Sequence, residues 1–466
     1  MTGFSALNTA AQGLAAAQRA MDVISQNVAN ANTPGYSRQR VKLAALGETS
    51  GATLFTGAGA PLYGVKVEAI TRTRDAFLEA ARTAAGNRLA ALQSRASALH
   101  AAEQLVSEPG ENGIQAVIDD FFASWHDLAT RPGDTSAGAV VIQRGIAVGD
   151  QLRFVAEGLA ARFSTMRDTL SSVVTEANEV AKSLADLNGQ IRQSTVAGQT
   201  ANELMDTRDQ LVRRLGELVG GVAQASDDGT VSVSVGGLVL VAGVSAQQFD
   251  VTGSQELGAA LTDPPTISWN GTAVPVDSGQ AAGLLAALRT DLPDLNTQLN
   301  GVATSLRDVV NGVHTAGFTL SGAPGGDFFS GADADSLTVA VTSPDQLAVA
   351  SSTGVVDGSN AMQIGDLSDE RNATAALGGP GPSERWRDLS TGMGVTVQSL
   401  ERAINVQDGV VSTADSAVES DAGVNLDEEM TGMLLYQRAY QASARVITTM
   451  DEMLDTLVNR TGLIGR

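Results

Sequence analysis

The sequence predicts a multidomain, mainly α-helical protein, with its N- and C-terminal helices paired as a coiled coil, a long-helix bundle as a shaft, and a β-rich module inserted mid-chain. Three observations predict it. Apolar stripes with steps of three and four run through both extreme ends of the 466-residue chain. A helical period continues from about residue 140 to 194. After Gly220 the period changes to two.

At the N-terminal end the stripe is Leu7, Ala10, Leu14, Ala17, Met21, Ile24 and Val28, the spacing of a coiled-coil seam. It stops at the turn-forming run from Asn30 through Asn32 and Thr33 to Pro34 and Gly35. Pro34 has no N–H to continue the helical ladder, and the Pro-Gly step marks a turn. A second helix is marked by Leu78, Leu89, Leu92, Leu99 and Val106. The longest carries Leu152, Leu159, Phe163, Leu170, Val180, Leu187 and Ile191, and its segment 140–194 spans roughly 80 Å at 1.5 Å per residue. Such a length suits a shaft.

The period-two stretch follows. Val231, Val233 and Val235 alternate with small polar residues after the turn Asp227-Asp228-Gly229. Two short runs flank Asn270-Gly271, a pair that marks a β-hairpin. Helical spacing returns over 280–315 with Leu284, Leu288, Leu292, Leu295, Leu299 and Leu306. An irregular region then holds one expected strand at Leu337–Val341, and a further helix covers about 384–418. The C-terminal stripe is Met433, Tyr436, Tyr440, Ser443, Ile447, Met450, Leu454 and Leu457. The expected domains are therefore 1–38 with 424–466 as the terminal coil; 39–220, 278–318 and 384–423 as the helical shaft; 221–277 as a β-rich outer module; and 319–383 as an irregular or β segment.

Composition excludes several classes. With 30 Lys and Arg against 52 Asp and Glu, the net charge is −22, which phosphate backbones and anionic lipid would repel. Nucleic acid and membranes are thus not expected partners. The absence of cysteine removes disulfides, thiol catalysis and thiolate-bound metals. The first residues lack the basic start, apolar core and cleavage site of a secretory signal.

No catalytic, cofactor or metal site is expected. His100, His126 and His314 show no metal-binding spacing. Asp333 and Asp335 resemble the start of a calcium loop, but its glycine and distal glutamate are missing, which leaves a turn. Gly57, Gly59 and Gly64 form a loose cluster without the strand that a phosphate loop requires. Asp119 and Asp120 read as a solvated helix face beside the buried Phe121 and Phe122.

Four segments resemble the bacterial flagellar axial protein family, and within it the hook–filament junction branch. The first is Ser25-Gln-Asn-Val-Ala-Asn-Ala-Asn-Thr-Pro-Gly-Tyr-Ser-Arg-Gln39, with Asn30 to Tyr36 as its shared signature. The second joins Val424-Asn-Leu-Asp-Glu-Glu429, Tyr436-Gln-Arg-Ala-Tyr-Gln-Ala442 and Asp451-Glu-Met-Leu-Asp-Thr-Leu457. The third is Leu187-Asn-Gly-Gln-Ile191 with Asn202-Glu-Leu-Met-Asp-Thr-Arg-Asp209. The fourth is His314-Thr-Ala-Gly-Phe318 with Gly325-Gly-Asp-Phe-Phe329. The resemblance implies a structural, non-enzymatic subunit located in the extracellular flagellum and exported by the flagellar type III apparatus. It implies a homo-oligomer in a ring or helical layer that contacts the hook protein, a second junction protein and the filament. It further implies an export chaperone on the C-terminal helix. The two stripes become the assembly interface, and Asn32, Thr33, Pro34, Gly35 and Tyr36 the axial-family turn. A hook or distal-rod subunit is the alternative within the family. A secreted enzyme or an adhesin on an axial scaffold is the alternative outside it; 221–383 shows no recognisable carboxylate pair for the enzyme.

Overall fold

The computed structural model describes residues 2–46, 64–106, 110 and 113–456. Helices α1 (Thr2–Ala29) and α11 (Leu426–Asp455) close the chain at its two ends. The shaft is built from α2 (Ala76–Val106), α3 (Ile114–Thr130), α4 (Thr135–Val196), α5 (Asn202–Val219), α6 (Gly279–Ala286), α7 (Leu292–Ala316) and α10 (Pro382–Ala422). Two short helices, α8 (Ser359–Gly365) and α9 (Glu370–Leu377), pack at its side. Leu457 of the expected interface, with Gly57 and Gly59, lies outside the described residues.

Helix α4 is the spine. Its 62 residues extend roughly 90 Å. Asp134 starts it as an N-cap, accepting from the N–H groups of Ser136 and Ala137. One face of α4 is buried throughout, from Val141 through Leu152, Phe163, Leu170 and Ala177 to Ile191. Phe121, Trp125, Phe328 and Phe329 stack with ring centroids 4.8–6.4 Å apart near its N-terminal end, so a sparse aromatic content is concentrated at one end of the shaft. Between α6 and α7 a π-turn at Ala287–Asp291 carries the leucine stripe onward. Pro293, which has no N–H to donate, stands one residue beyond it, in the first turn of α7.

Residues 39–45 and 65–72 depart from expectation. They were assigned to the helical shaft, but they supply β1 (Gln39–Ala45) and β2 (Val65–Arg72), an antiparallel pair with Gln39 opposite Arg72 and Ala45 opposite Val65. Val41 and Leu43, and Val65 and Val67, alternate with polar residues, and β-branched side chains favour the pleat. The β-rich stretch forms two small sheets. One orders β3 (Val222–Ala225), β4 (Val231–Val235), β5 (Leu238–Ala242) and β6 (Ser245–Ala246); the other orders β7 (Asp250–Thr252), β8 (Thr266–Trp269) and β9 (Thr272–Ala273). Asn270 and Gly271 both take positive φ, 48° and 77°, as a two-residue hairpin of this type requires. Segment 319–383, expected to be irregular or β, holds α8 and α9 besides the pair β10 (Phe329–Ser330) and β11 (Thr338–Val339). Local capping explains α9: the Asp369 carboxylate accepts from Arg371 N–H, and Gly378 ends the helix in the left-handed region.

Candidate assembly site

Helices α1 and α11 lie against each other. Gly13 faces Ser443, Gly432 faces Ile24, and Asn27 reaches Glu429, which together make the pair antiparallel. At this seam the covered positions on α1 are mainly small: Ala10, Ala16, Ala17 and Ala20, with Val23 and Ile24. Leu7, Leu14, Met21 and Val28 are half-buried. So are Met433, Tyr436, Tyr440, Ile447, Met450 and Leu454. Two isolated helices occlude only their line of closest approach, so longer side chains beside that line stay partly open. Leu426, Met430, Leu434, Leu435, Val446 and Met453 are exposed on α11. The pair therefore carries apolar surface that no other described residue covers.

Where the pair meets the shaft, residues from both chain ends converge. Asn27 is the hub. Its Nδ2 donates to Gln39 O at 2.9 Å and to Glu429 Oε2 at 3.0 Å, while its Oδ1 accepts from Gln39 N–H at 3.0 Å and from the Tyr36 hydroxyl at 2.8 Å. Burial, with the charges of Asp206, Glu203 and Glu429 adding to it, pushes the Tyr36 phenol up to about 12. Arg38 Nε donates to Glu429 Oε1 at 2.6 Å, and a second nitrogen donates to Glu428 Oε2 at 2.7 Å. Glu429 is only 3% exposed and the Arg38 side chain 13%. Every polar atom of this clasp that is withdrawn from water thus finds a charged or amide partner, as burial demands.

The turn between α1 and β1 is shaped by Gly35, at φ +80°. A Cβ there would run into the Gln210 amide, which donates to Pro34 O at 2.7 Å. Thr33 N–H donates to Asn30 O at 2.9 Å and Tyr36 N–H to Thr33 O at 3.1 Å, so the run folds back on itself. Asn32, Thr33, Pro34 and Gly35 are exposed, and they line a groove of about 870 Å³ against the end of α10.

Helix α5 braces this turn. Arg72 spans Asp206 at 2.7 Å and Asp209 at 2.8 Å, and Arg74 also reaches Asp209. Asn202 donates to Gln39 Oε1 at 2.9 Å, and Gln26 donates to Glu203 at 2.8 Å. Arg208 donates to Gly229 O at 2.9 Å, tying the node to the β-rich module. Burial, with the neighbouring Arg72 and Arg74, pulls Arg208 down to about 10. Further up α4, Asn188 holds β4 by donating to Val231 O at 2.8 Å and accepting from Val231 N–H at 3.1 Å. Three of the family-like segments thus meet at or beside one node. The fourth lies elsewhere: His314 is buried, hydrogen-bonded at Nδ1 to Gly326 O at 2.6 Å, and accepts at Nε2 from Ala348 N–H at 3.0 Å. Arg72, the last residue of β2, and Arg74, two residues beyond it, were not anticipated; their signal was positive charge facing Asp206 and Asp209.

The remaining chemistry is structural in geometry. His100 sits between Glu103 and Glu401, at 3.3 and 3.2 Å, and His126 faces Asp366 at 3.8 Å. Asp333 accepts from Ser336 N–H at 2.9 Å, closing its turn. Among the described residues no group of three or more His, Cys, Asp or Glu is placed to hold a metal ion.

Comparison with known proteins fits this geometry. A family model described as the helical domain of the flagellar hook-associated protein FlgK matches residues 99–329. Models of a flagellar basal body rod protein and of the FlgEFG C-terminal region match 7–36 and 411–460. Flagellar hook-associated protein 1 of Bacillus subtilis is 30% identical, with 99% of this chain and 99% of that one covered. The chain belongs to the flagellar hook-associated protein 1 family. The Salmonella typhimurium member is 26% identical over 98% of this chain and 99% of its own. The solved flagellar hook junction protein FlgK of Burkholderia pseudomallei shares the fold, with a TM-score of 0.64 at 15% identity over 74% of this chain and 99% of that one. Hook-associated family members are structural proteins of the flagellum, and this chain is a flagellar component with the helical termini common to axial proteins.

Proposed function

We propose that the protein forms the junction between hook and filament, as a ring or helical layer of identical subunits outside the cell. The observation that carries this reading is the clasp, which joins residues 27 and 429 and sets the paired termini on one end of a long rod. The stripe residues of α1 and α11 act as the interface to neighbouring axial helices, with the exposed apolar face of α11 available to them. The turn at Asn32–Tyr36 directs the chain from the terminal pair into the shaft, and the β-rich residues 221–277 take the outer side. The role is mechanical and not enzymatic. Export runs through the flagellar type III apparatus, with a chaperone on the C-terminal helix before assembly.

Two experiments test this. Labelled antibody against the protein should mark the distal end of hooks on isolated hook–basal bodies; label along the hook shaft or rod would overturn the junction assignment. Deleting residues 2–30 should stop secretion through the flagellar apparatus, and undiminished secretion of the truncated chain would refute the export reading.

A further inference from the structure

The sequence holds five Asn-Gly pairs, beginning at Asn112, Asn188, Asn270, Asn300 and Asn311. Such a pair carries latent chemistry. The asparagine amide carbon is an electrophile within reach of the next backbone nitrogen, and glycine, with no Cβ, leaves that nitrogen unhindered. Asn112 lies outside the described residues. The other four pairs sit in very different surroundings.

Three are held. Asn188, in α4, is wholly buried; its Nδ2 donates to Val231 O at 2.8 Å and to Gly243 O at 2.7 Å, and its Oδ1 accepts from Val231 N–H at 3.1 Å. Asn311, in α7, donates to Phe329 O at 2.8 Å and accepts from the N–H groups of Phe328 and Phe329, each at 2.9 Å. Asn300, also in α7, accepts from Ala334 N–H at 3.0 Å. In each case the attacking nitrogen of the next glycine lies inside an α-helix, where its N–H belongs to the helical ladder. Ring closure there would have to break the side-chain bonds and the helix together.

The fourth is free. Asn270 and Gly271 are both exposed, in the two-residue turn that joins Trp269 of β8 to Thr272 of β9. The Asn270 side chain forms no hydrogen bond with any described residue, and the Gly271 N–H donates to none. A Cβ on Gly271 would meet nothing within 4 Å, so the attacking residue stands in open space. Among the described residues Asn270 is also the one non-glycine with positive φ. The turn demands a residue that tolerates this backbone, and Asn followed by Gly meets the demand. The pair that shapes the hairpin is therefore the exposed, reactive one.

We propose that Asn270 is a self-modifying site, at which the folded hairpin converts its own asparagine to aspartate and isoaspartate while the helical Asn-Gly pairs stay inert. The Gly271 nitrogen bonds to Asn270 Cγ, the Cγ–Nδ2 bond breaks, and ammonia leaves with the glycine proton. Water then opens the cyclic imide at either carbonyl, so the only co-reactant is solvent. Both products add a negative charge. Isoaspartate also puts an extra methylene into the main chain of a turn whose length sets the register of β8 and β9. The bond from Val274 N–H to Ile267 O, now 2.8 Å, then loses its alignment. The extent of conversion records the age of the folded chain.

The test follows purified full-length chain at mildly alkaline pH by peptide mapping with mass spectrometry, the Asn112 peptide being scored apart. In the folded chain Asn270 should convert at least tenfold faster than Asn188, Asn300 or Asn311. In denaturant the four rates should draw together, because each pair follows a bulky apolar residue: Leu187, Trp269, Leu299 or Val310. An Asn270 rate no faster than the other three in the folded chain overturns the proposal. A spread in denaturant as wide as in the folded chain also overturns it, since sequence and not fold would then set the rates. Hydrogen exchange on the aged chain reads the consequence. Amides of 267–274 should lose protection while α4 keeps its own, and Asn270→Gly, which suits the turn and carries no amide, should age without this change. Equal loss in Asn270→Gly, or full protection in converted chain, overturns the assigned effect on the hairpin.

Discussion

Replacing Glu429 with alanine tests whether the clasp holds the terminal helices to the shaft. Glu429 is 3% exposed and accepts from both Arg38 and Asn27. Removing one partner of a buried pair costs about 3–5 kcal/mol, because the other charge is left without compensation. Arg38 keeps Glu428, whose side chain is 58% exposed and so offers a weaker, screened partner. The lower end, about 3 kcal/mol, is therefore expected. If α1 and α11 open as a local unit, that energy appears as roughly 150-fold faster amide exchange in 10–28 and 430–450, with α4 unchanged. Glu428→Ala should cost under about 1 kcal/mol. The double variant Arg38→Ala/Glu429→Ala should cost less than Glu429→Ala alone, since no orphaned guanidinium remains. Equal exchange in Glu429→Ala and Glu428→Ala refutes the argument. So does a wild-type α11 already exchanging at the unprotected rate, for the clasp would then not exist in the monomer.

Three further outcomes follow from the same geometry. Gly35→Ala should lose about 1–2 kcal/mol for the left-handed backbone alone, and more because its Cβ meets the Gln210 amide; Gly198→Ala, at φ +71° with open space around it, should lose only the first part in chemical denaturation. Tyr36, with its phenol raised to about 12, stabilises the fold fully below pH ~10 and loses that contribution as pH rises from ~10 to about 12. Alkaline melts of Tyr36→Phe should lack this part of the decline, and an identical pH profile would contradict it. His314 is buried and its pKa is lowered, so the unfolded chain takes up a proton that the native state refuses; stability is present above pH ~6.5 and falls as pH drops below it. His314→Gln should be less stable near neutrality but flatter on the acid side, as thermal melts across that range would show.

How much of this was legible in the sequence depended on the range of the interactions. The long helices were readable because a stripe such as Leu152 to Ile191 repeats many times on one face. The hairpin at Asn270-Gly271 was readable because its turn chemistry is local. The hairpin of β1 and β2 was not, although each strand alternates, because its partners are separated by a long glycine-containing stretch and no two-residue turn announces them. Helices α8 and α9 are too short, at seven and eight residues, for a period to emerge. At the candidate assembly site the turn motif and the terminal stripes were visible. Their convergence was not: nothing local in Asn27 or Arg38 says that the partner is Glu429, and the α5 carboxylates that brace the turn come from a third place in the chain.

The clasp also imposes an order in time. Asn27 and Glu429 are 402 positions apart, and closing so long a loop carries an entropy cost that local helix formation does not. A chain synthesised N-terminus first has most of its shaft complete well before Glu429 appears. The spine helix α4 and its aromatic anchor at Trp125 can then settle while α1 still lacks its companion. The pairing of the ends becomes the closing event of maturation, and the surface formed by that pairing stays withheld until the rest of the subunit is in place.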